Sequence, residues 1–314
     1  MNLSQNSATI IGVPCNFGAN NLGVDMGPNA YRYQGIADSL TAVGLDVQDS
    51  GNIQCPDRWT VSIGDNPKLH YLDEVVRISN DTAVVVQKAI EQGSRPVVLG
   101  GDHSVCLGAV SGASGAISGT IGLIYFDAHG DMNTDETTPT GNIHGMQLAS
   151  LMGFGAAKLR DVHHAGTKVA PNHVLHIGGS DWDQAELDLI AQESIAAFTL
   201  EDCLTRTFAP LLAMIDELQS KVDHIWISLD LDSIDVQYAP AAGMPNSRGL
   251  LYREIKMLAE YIGKHCSVLG IDVVEYNPLA DVDHKTAGLA TELIATFLGK
   301  EYSWYTNYLV RNPT

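Results

Sequence analysis

No uninterrupted apolar run of about 18 residues occurs anywhere in the chain, which argues against a membrane-spanning helix. The opening segment, residues 1–9, is polar and lacks the basic, apolar, small-residue succession of a secretory leader, so no signal peptide is expected. Cysteine is sparse and scattered. Cys15, Cys55, Cys106, Cys203 and Cys266 form no CxxC pair, which argues against a disulfide framework and predicts a reducing compartment, the cytosol. Cationic residues are also few: 18 Lys plus Arg stand against 37 Asp plus Glu, a formal charge of −19. Such a surface repels nucleic-acid phosphates and anionic membranes and suits cationic small molecules and divalent metals, although acidity also serves solubility alone. Internal repeats, low-complexity tracts and an interdomain linker are all missing. The 314 residues, 45% of them hydrophobic, therefore predict one domain spanning 1–314 with a sizeable core.

What is present is an alternation of short β-branched runs with longer amphipathic segments, the pattern of a parallel sheet covered by helices. Strands are predicted at 9–13, 45–48, 96–99, 121–126, 174–177, 196–199, 224–228 and 268–274, and helices at 28–42, 71–92, 145–152, 184–192, 210–221, 252–265 and 284–299. The fold class is α/β, with all eight strands in one sheet. Segments 55–68 and 236–249 read as surface loops, and the Gly-, Thr- and Asp-rich span 100–142 as a region of long loops.

Polar residues gather where the apolar runs end. The run 96–103 (PVVLGGDH) leaves its strand through two glycines into Asp-His, and 121–131 (IGLIYFDAHGD) places Asp127, His129 and Asp131 at alternate positions. On an extended backbone alternate side chains share a face, so these three can converge. Asp230 and Asp232 repeat the device in 224–232 (HIWISLDLD), and acids also close 177–183 (IGGSDWD) and 268–275 (VLGIDVVE). One such Asp would ordinarily be a helix cap or turn former. Five acid- or His-bearing strand ends at the carboxyl edge of one α/β sheet are where ligands bind, and so many clustered carboxylates repel unless a multivalent cation compensates them. The set His103, Asp127, His129, Asp131, Asp230 and Asp232 is oxygen-rich, which favours Mn²⁺ over a sulfur-bound structural zinc. Six ligands exceed what one open catalytic ion takes, so two ions bridged by shared carboxylates fit the number.

Segments 100–104 (GGDHS), 127–131 (DAHGD) and 228–235 (SLDLDSID) resemble, in order and spacing, the three metal motifs of the ureohydrolase family, which includes arginase, agmatinase and formimidoylglutamase. Residues 23–28 (GVDMGP) and 272–278 (DVVEYNP) are similar to its early turn and last strand, so the likeness spans essentially the whole chain. The resemblance implies a three-layer α/β/α domain with an eight-stranded parallel sheet, and a homo-oligomer, trimer or hexamer. It implies two Mn²⁺ ions per subunit, one held by His103, Asp127, Asp131 and Asp230, the other by His129, Asp127, Asp230 and Asp232. It further implies a hydroxide bridging the ions, oriented by Asp131, that attacks a guanidino carbon; Glu275 would position the guanidinium and His144 would shuttle protons.

The stretch 131–145 (DMNTDETTPTGNIHG) is most like arginase, in which Asn133, Thr140 and Asn142 would grip an α-carboxylate, while Asp183 and Glu186, with support from Asp181, would bind the α-amino group. L-Arginine is then the expected substrate, with urea and ornithine as products. A Thr/Asn-rich loop is otherwise a plain turn, and Asp183 or Asp181 otherwise a helix cap. Several positions depart from the arginase pattern: Val236, Ala242, Met244, the stretch 246–249 (NSRG), and Ser180 where arginases usually place Arg. The alternatives are a sibling acting on agmatine, guanidinobutyrate or formimidoylglutamate, an inactive metal-binding regulatory member, and a zinc deacetylase on a related fold. Trp304 and Tyr305 are expected to pack in the core or at a subunit contact.

Overall fold

The described residues form eight strands, apolar and buried in the middle of the sheet and polar at the β2 edge, and every pairing among them is parallel. They are β1 (Ser7–Val13), β2 (Asp46–Asn52), β3 (Arg95–Gly100), β4 (Ile121–Phe126), β5 (Val174–Ile177), β6 (Ala196–Phe198), β7 (His224–Asp230) and β8 (Val268–Val274). The computed structural model describes residues 6–299, so Trp304 and Tyr305 lie outside the described residues. In space the order is β2-β1-β3-β8-β7-β4-β5-β6. The helices are α1 (Gly27–Tyr33), α2 (Ile36–Thr41), α3 (Leu72–Glu91), α4 (Val105–Ala116), α5 (Gln147–Leu151), α6 (Ala157–Arg160), α7 (Gln184–Glu193), α8 (Leu200–Thr205), α9 (Ala209–Lys221), α10 (Tyr252–His265) and α11 (Lys285–Phe297).

Strand alternation divides the core into two layers. Ile124 and Phe126 of β4 join Ile225, Ile227 and Leu229 of β7 under α1, α2, α9, α10 and α11. Leu123 and Tyr125 of β4 join Trp226 of β7 on the opposite face, beneath α3 and α4. The result is a three-layer α/β/α arrangement, as the strand and helix pattern predicts. No helix among the described residues is long and apolar enough to cross a membrane.

Two readings of the sequence need correction. The predicted helix 28–42 is two helices, because Gly35 adopts φ 82° and turns the chain between them. The span 100–142 holds the expected strand at 121–126 but also an unexpected helix before it, α4, twelve residues long and buried from Val105 to Ala113. Its sequence, VCLGAVSGASGA, has no polar face and hence no amphipathic period to announce it. Two of its glycines admit α3 at backbone distance; a Cβ on Gly112 would stand 2.3 Å from the carbonyl oxygen of Ala83.

The four middle strands, β3, β8, β7 and β4, carry the chemistry at their carboxyl ends. His103 follows β3, Glu275 follows β8, Asp230 ends β7 and Asp127 follows β4. The chain passes from β3 to β4 across β8 and β7, which opens a crevice at a switch point of the sheet.

Candidate active site

All six sequence-predicted ligands meet at this crevice. Nδ1 of His103 lies 2.9 Å from Asp127 Oδ2, 3.1 Å from Asp131 Oδ2 and 3.0 Å from Asp230 Oδ2. Nδ1 of His129 lies 3.0 Å from Asp232 Oδ2 and 3.4 Å from Asp127 Oδ1. The four aspartates and His103 are buried, and His129 is half-buried. One ring nitrogen can donate a single proton, so His103 cannot satisfy three carboxylates; Asp127 Oδ2 is left without a hydrogen bond. Among the described residues no Lys or Arg lines the adjoining cavity.

Four carboxylates faced by only two imidazoles, with no Lys or Arg at hand among the described residues, favour a multivalent cation. Two overlapping groups, His103/Asp127/Asp230 and Asp127/His129/Asp232, each bring one nitrogen and two oxygens within metal-ligating range, and both use Asp127. The donor chemistry therefore fits divalent metal. The electrostatics agree. Burial, then the charges of Asp131 and Asp232, push the Asp127 carboxyl up to about 7. Burial opposes charge on His103 and His129, but hydrogen bonds to the surrounding carboxylates outweigh it and hold both imidazoles well above their ordinary range.

Support for the cluster comes from residues the sequence reading did not single out. The Tyr125 ring stacks on His103 at 4.7 Å, and its hydroxyl donates to Asp131 Oδ2 at 2.7 Å; Gln147 Nε2 donates to the same oxygen at 2.5 Å. Behind His103, Nε2 is 2.9 Å from Ser228 Oγ, which donates to Asp272 at 2.7 Å; Trp226 Nε1 also donates to Asp272, at 2.5 Å. His176, pushed down to about 4 by burial, donates from Nε2 to the carbonyl of His129 and fixes the backbone there. A polar side chain inside an otherwise apolar strand is the one sequence signal that marks Ser228 and Asp272.

Two positions are backbone-strained. Asp131 and Glu275 adopt φ of 54° and 60°, a region that costs a residue with a Cβ about 1–3 kcal/mol. Neighbouring backbone holds Glu275 there: its amide donates to the carbonyl of Gly101 at 2.8 Å, and its own carbonyl accepts from Gly243 at 2.6 Å. Its carboxylate accepts from the amide of His103 at 2.9 Å through Oε1, which is also 3.4 Å from His144 Nδ1, while Oε2 has no partner. Burial opposes charge on His144, but the bond to Glu275, with the charges of Glu275, Asp131 and Asp102, raises it to about 9.

A cavity of about 330 Å³ opens over the cluster, lined by Asn133, Thr138, Pro139, Thr140 and Asn142 of one loop together with Asp181, Asp183, Glu186 and Met244. The structure thus brings every sequence-predicted site residue except the deeply placed His103 and Asp127 to this wall. Asn133 and Asp183 touch, Nδ2 to Oδ2 at 2.8 Å. Asp183 also caps α7 with Oδ1, and Glu186 closes a capping box while accepting from the amide of Met132. Asp183 is therefore both helix cap and cavity residue. Burial, ahead of the charges of Asp131 and Asp183, pushes Glu186 up to about 7. Two positions that depart from the arginase pattern pair with each other, Asn246 Nδ2 donating to Ser180 Oγ at 2.9 Å.

A doubly wound sheet with an Asp/His cluster at its switch point defines an α/β protein of the metal-dependent hydrolase class. The family model described as "Arginase family" matches residues 6–299, and the chain belongs to that family. The arginase of Bacillus caldovelox is 35% identical over 297 residues, covering 93% of this chain and 98% of the relative; that of Brevibacillus brevis is 37% identical over 294 residues, covering 93% and 97%. Among solved structures, Bacillus caldovelox arginase superimposes with a TM-score of 0.91 at 34% identity, covering 95% of this chain and 99% of its own. Entamoeba histolytica arginase in complex with L-ornithine gives 0.86 at 28% identity, covering 94% and 99%.

Proposed function

We propose that this protein is an arginase, hydrolysing L-arginine to L-ornithine and urea. One observation carries the reading: a buried four-Asp, two-His cluster shares a single cavity with a wall of amide and hydroxyl side chains suited to an amino-acid carboxylate. Two Mn²⁺ ions are the proposed cofactor; His103, Asp127, Asp131, Asp230, His129 and Asp232 would hold them, and Asp127 belongs to both ligand groups. Divalent metal bound by these residues would supply an activated water as nucleophile at neutral pH.

The chain's own residues do the rest. Asp131, held by Tyr125 and Gln147, accepts a hydrogen bond from the attacking water and fixes its approach. Glu275, with one oxygen free, pairs with the guanidinium and turns its central carbon toward the cluster. His144, beside Glu275 at the cavity wall, hands a proton to the departing amine. Asn133, Thr140 and Asn142 face the substrate carboxylate, and Asp183, assisted by Glu186, faces the α-amino group. The solved complex of a relative with L-ornithine supports an amino-acid product in this fold. Dispersed free cysteines support a cytosolic location.

Urea release by Mn²⁺-loaded protein, compared among L-arginine, agmatine and guanidinobutyrate, tests the reading. Clear preference for L-arginine is expected; urea from agmatine or guanidinobutyrate alone would move the protein to a sibling activity. Asp131→Asn is expected to nearly abolish urea release with the fold intact by circular dichroism, and an undiminished rate would remove Asp131 from its assigned role.

A further inference from the structure

The loop that forms the amide-and-hydroxyl wall does not stand alone. Segment 66–71, which leads into α3, packs against its back. The amide of His70 donates to the carbonyl of Gly141 at 2.9 Å, and Lys68 Nζ donates to the carbonyl of Thr138 at 2.5 Å. Gly141, at φ 78°, lets the two segments close up: a Cβ there would meet the carbonyl oxygen of Pro67 at 2.2 Å and Nε2 of His70 at 3.1 Å. The remaining contact is between side chains, His70 Nδ1 to Asn142 Oδ1 at 3.3 Å.

That contact decides which way the Asn142 amide faces. A carboxamide has one accepting and one donating end, and a carboxylate ligand is attracted only to the donating end. With Oδ1 turned to the half-buried imidazole of His70, Nδ2 is the free donor of a side chain that lines the cavity, and it has no hydrogen-bond partner among the described residues. If the amide were reversed, its oxygen would face the ligand's carboxylate and repel it. His70 itself does not line the cavity, so its influence on a ligand passes through Asn142.

We propose that His70 is a positioning residue for carboxylate recognition, donating from Nδ1 to Asn142 Oδ1 and so presenting Asn142 Nδ2 to the substrate. The inference rests on the reading of the protein as an arginase and names a residue, outside the cavity, that tunes its preference for amino-acid substrates.

The test uses the Mn²⁺-loaded full chain, as parent, His70→Ala, His70→Gln and Asn142→Ala, with L-arginine as substrate. L-Ornithine and butane-1,4-diamine, the same skeleton without a carboxylate, serve as competitive inhibitors. His70→Ala is expected to raise KM for L-arginine and Ki for L-ornithine by the same factor, about 5–10-fold, the worth of one orienting hydrogen bond to a charged-ligand donor. It should leave kcat within about twofold and Ki for butane-1,4-diamine unchanged, which also reports a properly folded site. His70→Gln, which keeps a donor, should recover most of the loss. The pair His70→Ala/Asn142→Ala should be no worse than Asn142→Ala alone. Unchanged KM and Ki in His70→Ala, equal weakening of both inhibitors, or additive losses in the double variant would each overturn the proposal. If the parent releases no urea from L-arginine, the arginase reading fails and the inference falls with it; a normal parent with an unaffected His70→Ala overturns the inference alone.

Discussion

At the scale of single residues, the cluster is a contest for protons. His103 and His129 are each held in the protonated form by the carboxylates around them, whereas a metal takes a neutral imidazole. Loading the stripped protein at pH 7 should therefore release one proton from each histidine. Affinity should weaken as pH falls, since more ligand protons must leave. Calorimetry in two buffers of different ionisation enthalpy measures the release, and a buffer-independent heat would contradict it. In the stripped protein the raised imidazoles have the usual sign of a His that gains partners: their stabilisation is complete below the unfolded pKa near 6.5, declines as pH rises above it, and is gone above the raised folded value. Metal-free protein should consequently show a melting temperature that falls as pH rises from about 6.5 to 8, and a flat or rising profile by differential scanning calorimetry would contradict it. Tyr125 offers a second check. Tyr125→Phe removes the hydroxyl that orients Asp131 but keeps the ring stacked on His103, so metal affinity should fall about 10–100-fold while the fold survives. Unchanged affinity in a metal-competition titration would deny the hydroxyl that role.

At the scale of elements, strands were more legible than helices. The inner strands β3, β4, β7 and β8 announce themselves by apolar runs with an acid or glycine at or just after the end, because a strand buried on both faces is apolar along most of its length, whereas the edge strand β2 is polar and exposed. Helix α3 is legible for the opposite reason, since its polar face alternates with Val75, Ile78, Val86 and Ile90. Helix α4 is apolar all round and built of small residues, so periodicity had nothing to register. Its packing makes a sharp prediction. Gly112→Ala would drive a methyl against the α3 backbone at Ala83, where nothing can rotate aside, and should cost about 1–3 kcal/mol of stability. A chemical-denaturation midpoint equal to that of the parent would show that α3 and α4 separate more easily than their contact implies.

At the scale of the whole molecule, the sheet order is what assembles the site. His103, Asp127, Asp230 and Glu275 lie in widely separated parts of the sequence, and they meet because β3, β8, β7 and β4 are neighbours. The ligands could be named from the sequence because each stands at a strand end or within five residues after one, where an unpaired charge demands a reason; their convergence comes from the turns that follow, Asp131 at φ 54° among them, and not from an extended backbone. The supporting groups could not. Ser228, Asp272 and Tyr125 sit inside strands, and Gln147 opens a short helix; their polar partners appear only when distant strands and loops are brought together. The cavity wall shows the same limit. Asn133, Thr140 and Asn142 are readable as one loop, but the docking of residues 66–71 behind it is a tertiary fact.

The central claim joins the metal cluster to its chemistry, so the most direct measurement follows both at once: urea release from L-arginine as the stripped protein is titrated with Mn²⁺. Activity that climbs to a plateau at two equivalents per subunit is the predicted result. A plateau at one equivalent, or two bound ions with no urea at any ratio, would contradict it.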